Sequence, residues 1–291
     1  MKKILALLLA MTMVFGMAAC GSSDTQEPAA ENNASNAENA GTDTAEETTG
    51  TETAGDEATD AESAGTLTTV TDGVLTMSTN AAFPPYEMTD DNGNVIGIDA
   101  AIAAAIAEKL GLELEILDMD FDAALLAVQQ GKSDMVMAGV TVNEDRLAVM
   151  DFSETYANGV QVIITQEGSD VTIDNLGEKM IGTQRGTTGN IYCTDDYGEE
   201  HVIAYDNGIT AVQALVNGQI DCVVIDKAPA ESFVTANPGL TILDTEYVTE
   251  DYAIGFAKGN TALVDAVNGA LNELIEDGTV QSIVDTYITA E

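Results

Sequence analysis

Only Arg146 and Arg185 carry a guanidinium in a chain with nine Lys and Arg against 50 Asp and Glu. A planar guanidinium holds a carboxylate through two parallel hydrogen bonds, which the point charge of lysine cannot match. A surface arginine on a helix usually pairs with an acid one turn away. The residues three and four places from Arg146 are Val142, Asn143, Val149 and Met150, so that pairing is closed to it, and only Glu144 and Asp145 next to it can partly screen its charge. Gly139 and Thr141, just upstream, add backbone and hydroxyl groups that suit a carboxylate or an amine. Thr187 sits in Gly186-Thr187-Thr188-Gly189 ahead of a helix, where backbone N–H groups can face an anion; taken alone, such a loop is an ordinary helix entrance. Asp226 ends the apolar run Val223-Val224-Ile225, placed either to accept a cationic group or to cap the next helix. His201 is the single histidine, which leaves little material for a His-rich metal site or a His-based catalytic triad.

The elements that must position these side chains alternate between strand and helix. Val74 to Ser78 reads as a short buried strand, and Asp91 to Asn94 as a turn. Ile98, Ile102, Ile106 and Leu110 form one helical stripe that Gly111 stops. Leu112, Leu114 and Ile116 alternate with Glu113 and Glu115 as a half-buried strand. A helix over Asp122 to Gln130 and a strand over Met135 to Ala138 follow. In the second half Val160 to Thr165, interrupted by Gln161, Val202 to Ala204, Cys222 to Ile225 and Tyr252 to Ala257 read as strands. Ile209, Val212, Leu215 and Val216 give a helical stripe, and helices bearing Leu263, Val267, Leu271 and Leu274, then Ile283, Val284 and Tyr287, finish the chain. Alternation of this kind predicts an α/β fold with parallel strands.

The first 66 residues are of a different kind. Lys2 and Lys3 precede the apolar run Ile4 to Met17, then Ala18, Ala19 and Cys20. This predicts a lipoprotein signal peptide over 1–19, with Cys20 acylated, although Met17 departs from the usual Leu. Residues 21–66 hold twelve acids, no Lys or Arg and no aromatic residue. Such a segment cannot bury enough apolar surface to offset ordering entropy, which predicts a disordered acidic tether over 20–66. A net charge of -41 repels nucleic-acid phosphate and anionic headgroups, so nucleic acid is not an expected partner.

Motifs spread over residues 70–290 resemble the polar amino-acid (family 3) solute-binding proteins. They are Asn80 to Glu87, Val95 to Asp99, Met119-Asp120-Phe121, Ala138 to Arg146, Asp151-Phe152-Ser153, Gly186 to Gly189 and Asp221 to Asp226. Ala101 departs from the family pattern, which usually has a carboxylate there. The resemblance implies a two-lobed, periplasmic-binding-protein-like (Venus-flytrap) α/β fold. Its lobe 1 would be 67–158 plus 252–291 and its lobe 2 159–251, with hinges near Tyr156 to Gly159 and Thr249 to Ala253. It implies a cleft that captures a free amino acid, Arg146, Gly139, Thr141 and Thr187 meeting the carboxylate and amine. Asp226 would accept the ammonium, and Phe83 and Phe121 would flank the side chain. Without that context, either aromatic is more often core than clamp.

Specificity rests on fewer residues. Asn80 takes a place where binders of cationic amino acids often carry Asp, and Gln184 is a second side-chain-facing position. Two neutral amides favour a neutral, polar ligand, since a buried cation needs a partner charge. Arg185, turned inward, would reverse this toward an acidic ligand. Expected partners are the permease and ATPase of an ABC importer and a lipid anchor in the membrane. The expected form is a monomer outside the cytoplasm, with no cofactor, metal or catalytic group. The competing readings are a dehydratase-like cleft enzyme and a ligand-sensing protein on the same fold. Cys193 and Cys222 read as two buried thiols.

Overall fold

The computed structural model describes residues 67–288. The expected signal peptide, acylated Cys20 and acidic tether lie outside this range. The chain forms a mixed sheet of nine strands and a small three-stranded sheet, β2(Ala82–Phe83), β3(Glu87–Thr89) and β4(Val95–Ile96). In one half β1(Val74–Thr79) pairs in parallel with β5(Glu113–Asp118) and with β6(Met135–Val136). In the other half β8(Ile181–Gln184), β9(Val202–Tyr205) and β10(Cys222–Asp226) are also parallel. Between the halves run β7(Met150–Gln166) and β12(Val248–Ala257), antiparallel to each other. β11(Leu240–Ile242) pairs with the end of β7. The parallel expectation therefore holds within each half, and the long connecting strands are antiparallel.

Helices α1(Ile98–Leu110), α2(Phe121–Gln129), α3(Glu144–Val149), α7(Thr261–Glu276) and α8(Thr279–Tyr287) accompany the first half. Helices α4(Thr188–Tyr197), α5(Gly208–Val216) and α6(Lys227–Ala236) accompany the second. The predicted stripe of α1 is buried at Ile98, Ile102 and Ile106, and Gly111 ends the helix in the left-handed conformation, φ 68°. Leu263, Val267, Leu271 and Leu274 of α7 are all buried. The α5 stripe needs correction: Val212 and Leu215 are buried, whereas Ile209 and Val216 are exposed. The buried face is completed by Ala211 and Ala214, small residues that let the helix sit close to the sheet. The strand expected over Met135 to Ala138 is only two residues long in the sheet. The chain leaves it after Val136, which places Ala138 and Gly139 at the sheet's rim.

Gly97 shows how tightly one rim is built. Its φ is +131°, and a Cβ there would lie 2.6 Å from the Tyr86 carbonyl carbon and 2.9 Å from Pro85 O. The neighbours are backbone and cannot swing away. Gly97→Ala should therefore lower the unfolding free energy by about 2 kcal/mol, read from urea denaturation.

Candidate functional site

Parallel α/β units aim their strands' carboxyl ends at one rim, where ligands generally bind. Asn80 follows β1, Ala138 and Gly139 follow β6, Gln184 closes β8 and Asp226 closes β10. Phe121 opens α2, and Thr187 caps α4, its hydroxyl accepting from Asn190 N. All of these, with Phe83, Thr141 and Arg146, line one cavity between the two halves. Every ligand-contact residue expected from the sequence is thus brought to one place. Glu87, Ala138 and Thr188 line it as well. Each lies inside a motif already singled out, and Ala138 and Thr188 sit beside Gly139 and Thr187.

Arg146 is 8 % exposed, on the short helix α3 whose cap Asn143 accepts its backbone N–H at 2.8 Å. Its guanidinium donates to Thr141 O at 2.7 Å and to Gly186 O at 3.2 Å, and lies over the Phe121 ring, 5.4 Å from the centroid. The remaining N–H donors of the fork have no partner among the described side chains' hydrogen bonds. Burial lowers its pKa to about 10, which still leaves it fully charged at neutral pH. Phe83 and Phe121 are 6 % and 5 % exposed, so both readings meet in them: they belong to hydrophobic clusters and line the cavity too.

Asp226 occupies the N-cap position of α6 but makes no side-chain cap. Its carboxylate instead accepts hydrogen bonds from Tyr252 OH and, at 2.8 Å, from Gln161 Nε2. Burial first, then the charge of Glu250, raises its pKa to about 7. Glu87 is wholly buried beside Asp99, and burial first, then Asp99, holds its pKa well above the carboxylate range. Asp99 accepts Gly139 N at 3.0 Å, and burial pushes its pKa to about 6.

Other hydrogen bonds cross the cleft directly. Gln184 Nε2 donates to Asn80 Oδ1 at 3.0 Å, and the Thr141 and Thr188 hydroxyls lie 3.4 Å apart. Asn80 Nδ2 is held by Met119 O at 2.8 Å. With both ends of the Asn80 amide engaged, the Gln184 carbonyl remains as a polar acceptor at this end of the cavity. Arg185 turns outward: its side chain is 53 % exposed, donates to Ala204 O and lies 3.6 Å from Asp206. Cys193 and Cys222 are buried free thiols in one cluster of the second half. Among the described residues no helix is long and apolar enough to cross a membrane, and no group of His, Cys, Asp and Glu could hold a metal ion.

The family model for bacterial extracellular solute-binding proteins, family 3, matches residues 75–290. The chain belongs to that family. A probable histidine-binding protein of Neisseria gonorrhoeae is 32 % identical over 225 residues, covering 75 % of this chain and 84 % of that protein. An L-cystine-binding protein of Escherichia coli K12 is 28 % identical, with the same coverage. Among solved structures, an ancestral arginine-binding protein bound to glutamine is 37 % identical, with a TM-score of 0.71, over 75 % of this chain and 99 % of that one. The family 3 assignment makes this chain a solute-binding protein rather than an enzyme, with the two-lobed fold. As in the rest of the family, its place is outside the cytoplasm, on the side from which solute is taken up.

Proposed function

We propose that this protein is the substrate-binding component of an amino-acid ABC importer, and that its cleft takes a free L-amino acid with a neutral polar side chain. The observation that carries the reading is Arg146: a buried, charged fork with donors to spare, in a cavity whose opposite lobe presents Asp226. A carboxylate on Arg146 and an ammonium on Asp226 would neutralise both, which a buried pair of charges requires. Gly139, Thr141 and Thr187 complete the carboxylate and amine contacts, and Phe83 and Phe121 flank the side chain. The neutral preference follows from the Asn80 and Gln184 amides at the far end, where the free Gln184 carbonyl suits a side chain that donates. Arg185, turned to solvent, offers nothing to an acidic ligand.

The lobes are 67–158 plus 252–291 and 159–251, hinged where β7 and β12 cross. The leader of residues 1–19, the acylated Cys20 and the acidic tether hold the monomer at the outer face of the membrane, within reach of the permease and ATPase. A second reading, a cationic amino acid, draws on the buried acids Glu87, Asp99 and Asp226 around a single arginine.

Thermal unfolding of the whole chain against each of the twenty amino acids tests both. A ligand at about 100 times its Kd adds about 2.7 kcal/mol of stability. The expected responder is neutral and polar, and Asn80→Asp should move the preference toward Lys or Arg by about tenfold or more. A wild-type response to Lys or Arg alone would select the second reading, and no response to any of the twenty would end both.

A further inference from the structure

The cleft residues account for the ligand's contacts but leave three buried polar side chains behind Asp226 unexplained. Gln161 is 1 % exposed on β7, and Glu250 and Tyr252 are 4 % and 1 % exposed on β12. The Gln161 amide nitrogen donates to Asp226 Oδ2 and to Glu250 Oε2, both at 2.8 Å. Two carboxylates flanking one amide dictate that its nitrogen, not its oxygen, faces them. Tyr252 OH takes the other Asp226 oxygen. Space for this pair is kept by Gly159, where a Cβ would lie 2.7 Å from Asp226 Oδ1 and closer still to Tyr252 OH.

These partners sit where the lobes are joined. Gly159 pairs with Glu250 and Ala157 with Tyr252 in the register of β7 and β12, and that register shifts between Tyr252 and Ala253. Tyr252 also forms an isolated bridge to Thr141. A rigid carboxylate is worth more to an incoming ammonium than one that must first be desolvated and oriented.

We propose that Gln161 and Tyr252, on the two strands that join the lobes, are positioning residues that hold the Asp226 carboxylate ready for the ligand's ammonium, and that Glu250 tunes it through Gln161. This rests on the reading of Asp226 as the ammonium acceptor. Neither residue touches the ligand; both act through Asp226 and make its geometry part of the hinge. The charged and titratable groups facing Asp226 are Glu250 and Tyr252 from β12, Tyr86 and Glu87 from the small sheet's loop and strand, and Arg146 from α3. Lys227, next in sequence, points to solvent beside Glu231.

The test is a carboxyl-carbon NMR titration of the whole chain, with the Asp226 signal assigned by its loss in Asp226→Asn. Tyr252→Phe and Gln161→Met each remove a donor to the charged form, so the Asp226 midpoint should rise by about one pH unit in each. Glu250→Gln removes a negative neighbour and should lower it, a sign that general loosening of the fold would not produce. In parallel, the amino acid giving the largest thermal shift should bind about tenfold more weakly to each donor variant at pH 7.5. An Asp226 midpoint unmoved in cooperatively unfolding Tyr252→Phe and Gln161→Met proteins would overturn the proposal. Should the midpoint move as stated while Asp226→Asn binds that amino acid as tightly as wild type, the positioning stands and the ammonium reading falls. If no amino acid gives a shift, the titration alone decides the positioning.

Discussion

Arg146→Ala is expected to weaken binding of the cognate amino acid by about a thousandfold, measured by isothermal titration calorimetry at pH 7.5. Truncating one partner of a desolvated, hydrogen-bonded charge pair costs about 2–5 kcal/mol, much of it from the group left unpaired. Here that group is the ligand carboxylate, in a cavity with no second cation among the residues lining it. Arg146→Lys should recover little, because an ammonium cannot reproduce the fork and cannot hold Thr141 O, Gly186 O and the Phe121 face together. The unligated protein should unfold within a few degrees of wild type. Removing a buried charge relieves desolvation, which offsets the two hydrogen bonds lost. Affinity within threefold of wild type would show that the carboxylate binds elsewhere.

Acidification should stabilise the unligated protein and weaken its hold on the ligand. Asp226 and Asp99 have pKa values raised by burial to about 7 and about 6, and Glu87 is raised in the same direction. An acid whose folded pKa exceeds its unfolded value binds more protons when folded, so it costs stability once pH rises past the folded pKa. That cost is removed as pH falls through it toward the unfolded value, near 4. Between pH 8 and pH 5 the gain is on the order of 4 kcal/mol, and relief of repulsion in a chain of net charge -41 adds to it. The acids with lowered pKa, such as the part-exposed Asp90 and the exposed Asp277, lie at the surface, and solvent screening keeps their opposing contribution small. Ligand affinity moves the other way, because the ammonium needs the Asp226 carboxylate. It should fall by up to about tenfold per unit below pH 7. Calorimetric unfolding and binding in the same buffers measure both; a melting temperature that falls from pH 8 to pH 5 would contradict the buried-acid account.

Much of this protein was legible in the order of its residues. Helix stripes at Ile98, Ile102 and Ile106 and at Leu263 to Leu274 are local patterns, and the buried faces they imply are found. Gly139 and Asp226 were legible for a related reason: each comes at or directly after a short apolar run, and strand ends converge at one rim in any parallel α/β unit, whereas Asn80 and Gln184 were named from the family resemblance. The exceptions are instructive. Ile209 and Val216 fit the helical period of α5 yet face solvent, because Ala211 and Ala214 set the contact face and periodicity alone does not price close approach. Met137 and Ala138 are apolar enough for a strand but leave the sheet, Met137 into the core and Ala138 to the cavity lining.

What the tertiary structure alone decided is pairing over long separations. Gln161 read only as a polar interruption in the run Val160 to Thr165. Its role depends on Asp226 and Glu250, 65 and 89 residues away, arriving on either side of one amide. Asp226 was open to two uses until the bonds from Tyr252 and Gln161 took it away from the helix cap. The outward turn of Arg185 depends on Ala204 and Asp206 beyond α4. Residue order states which groups are available and which element carries them. Burial and partners over such distances set whether each group is charged, engaged or free, and those arise only when the two halves close on each other.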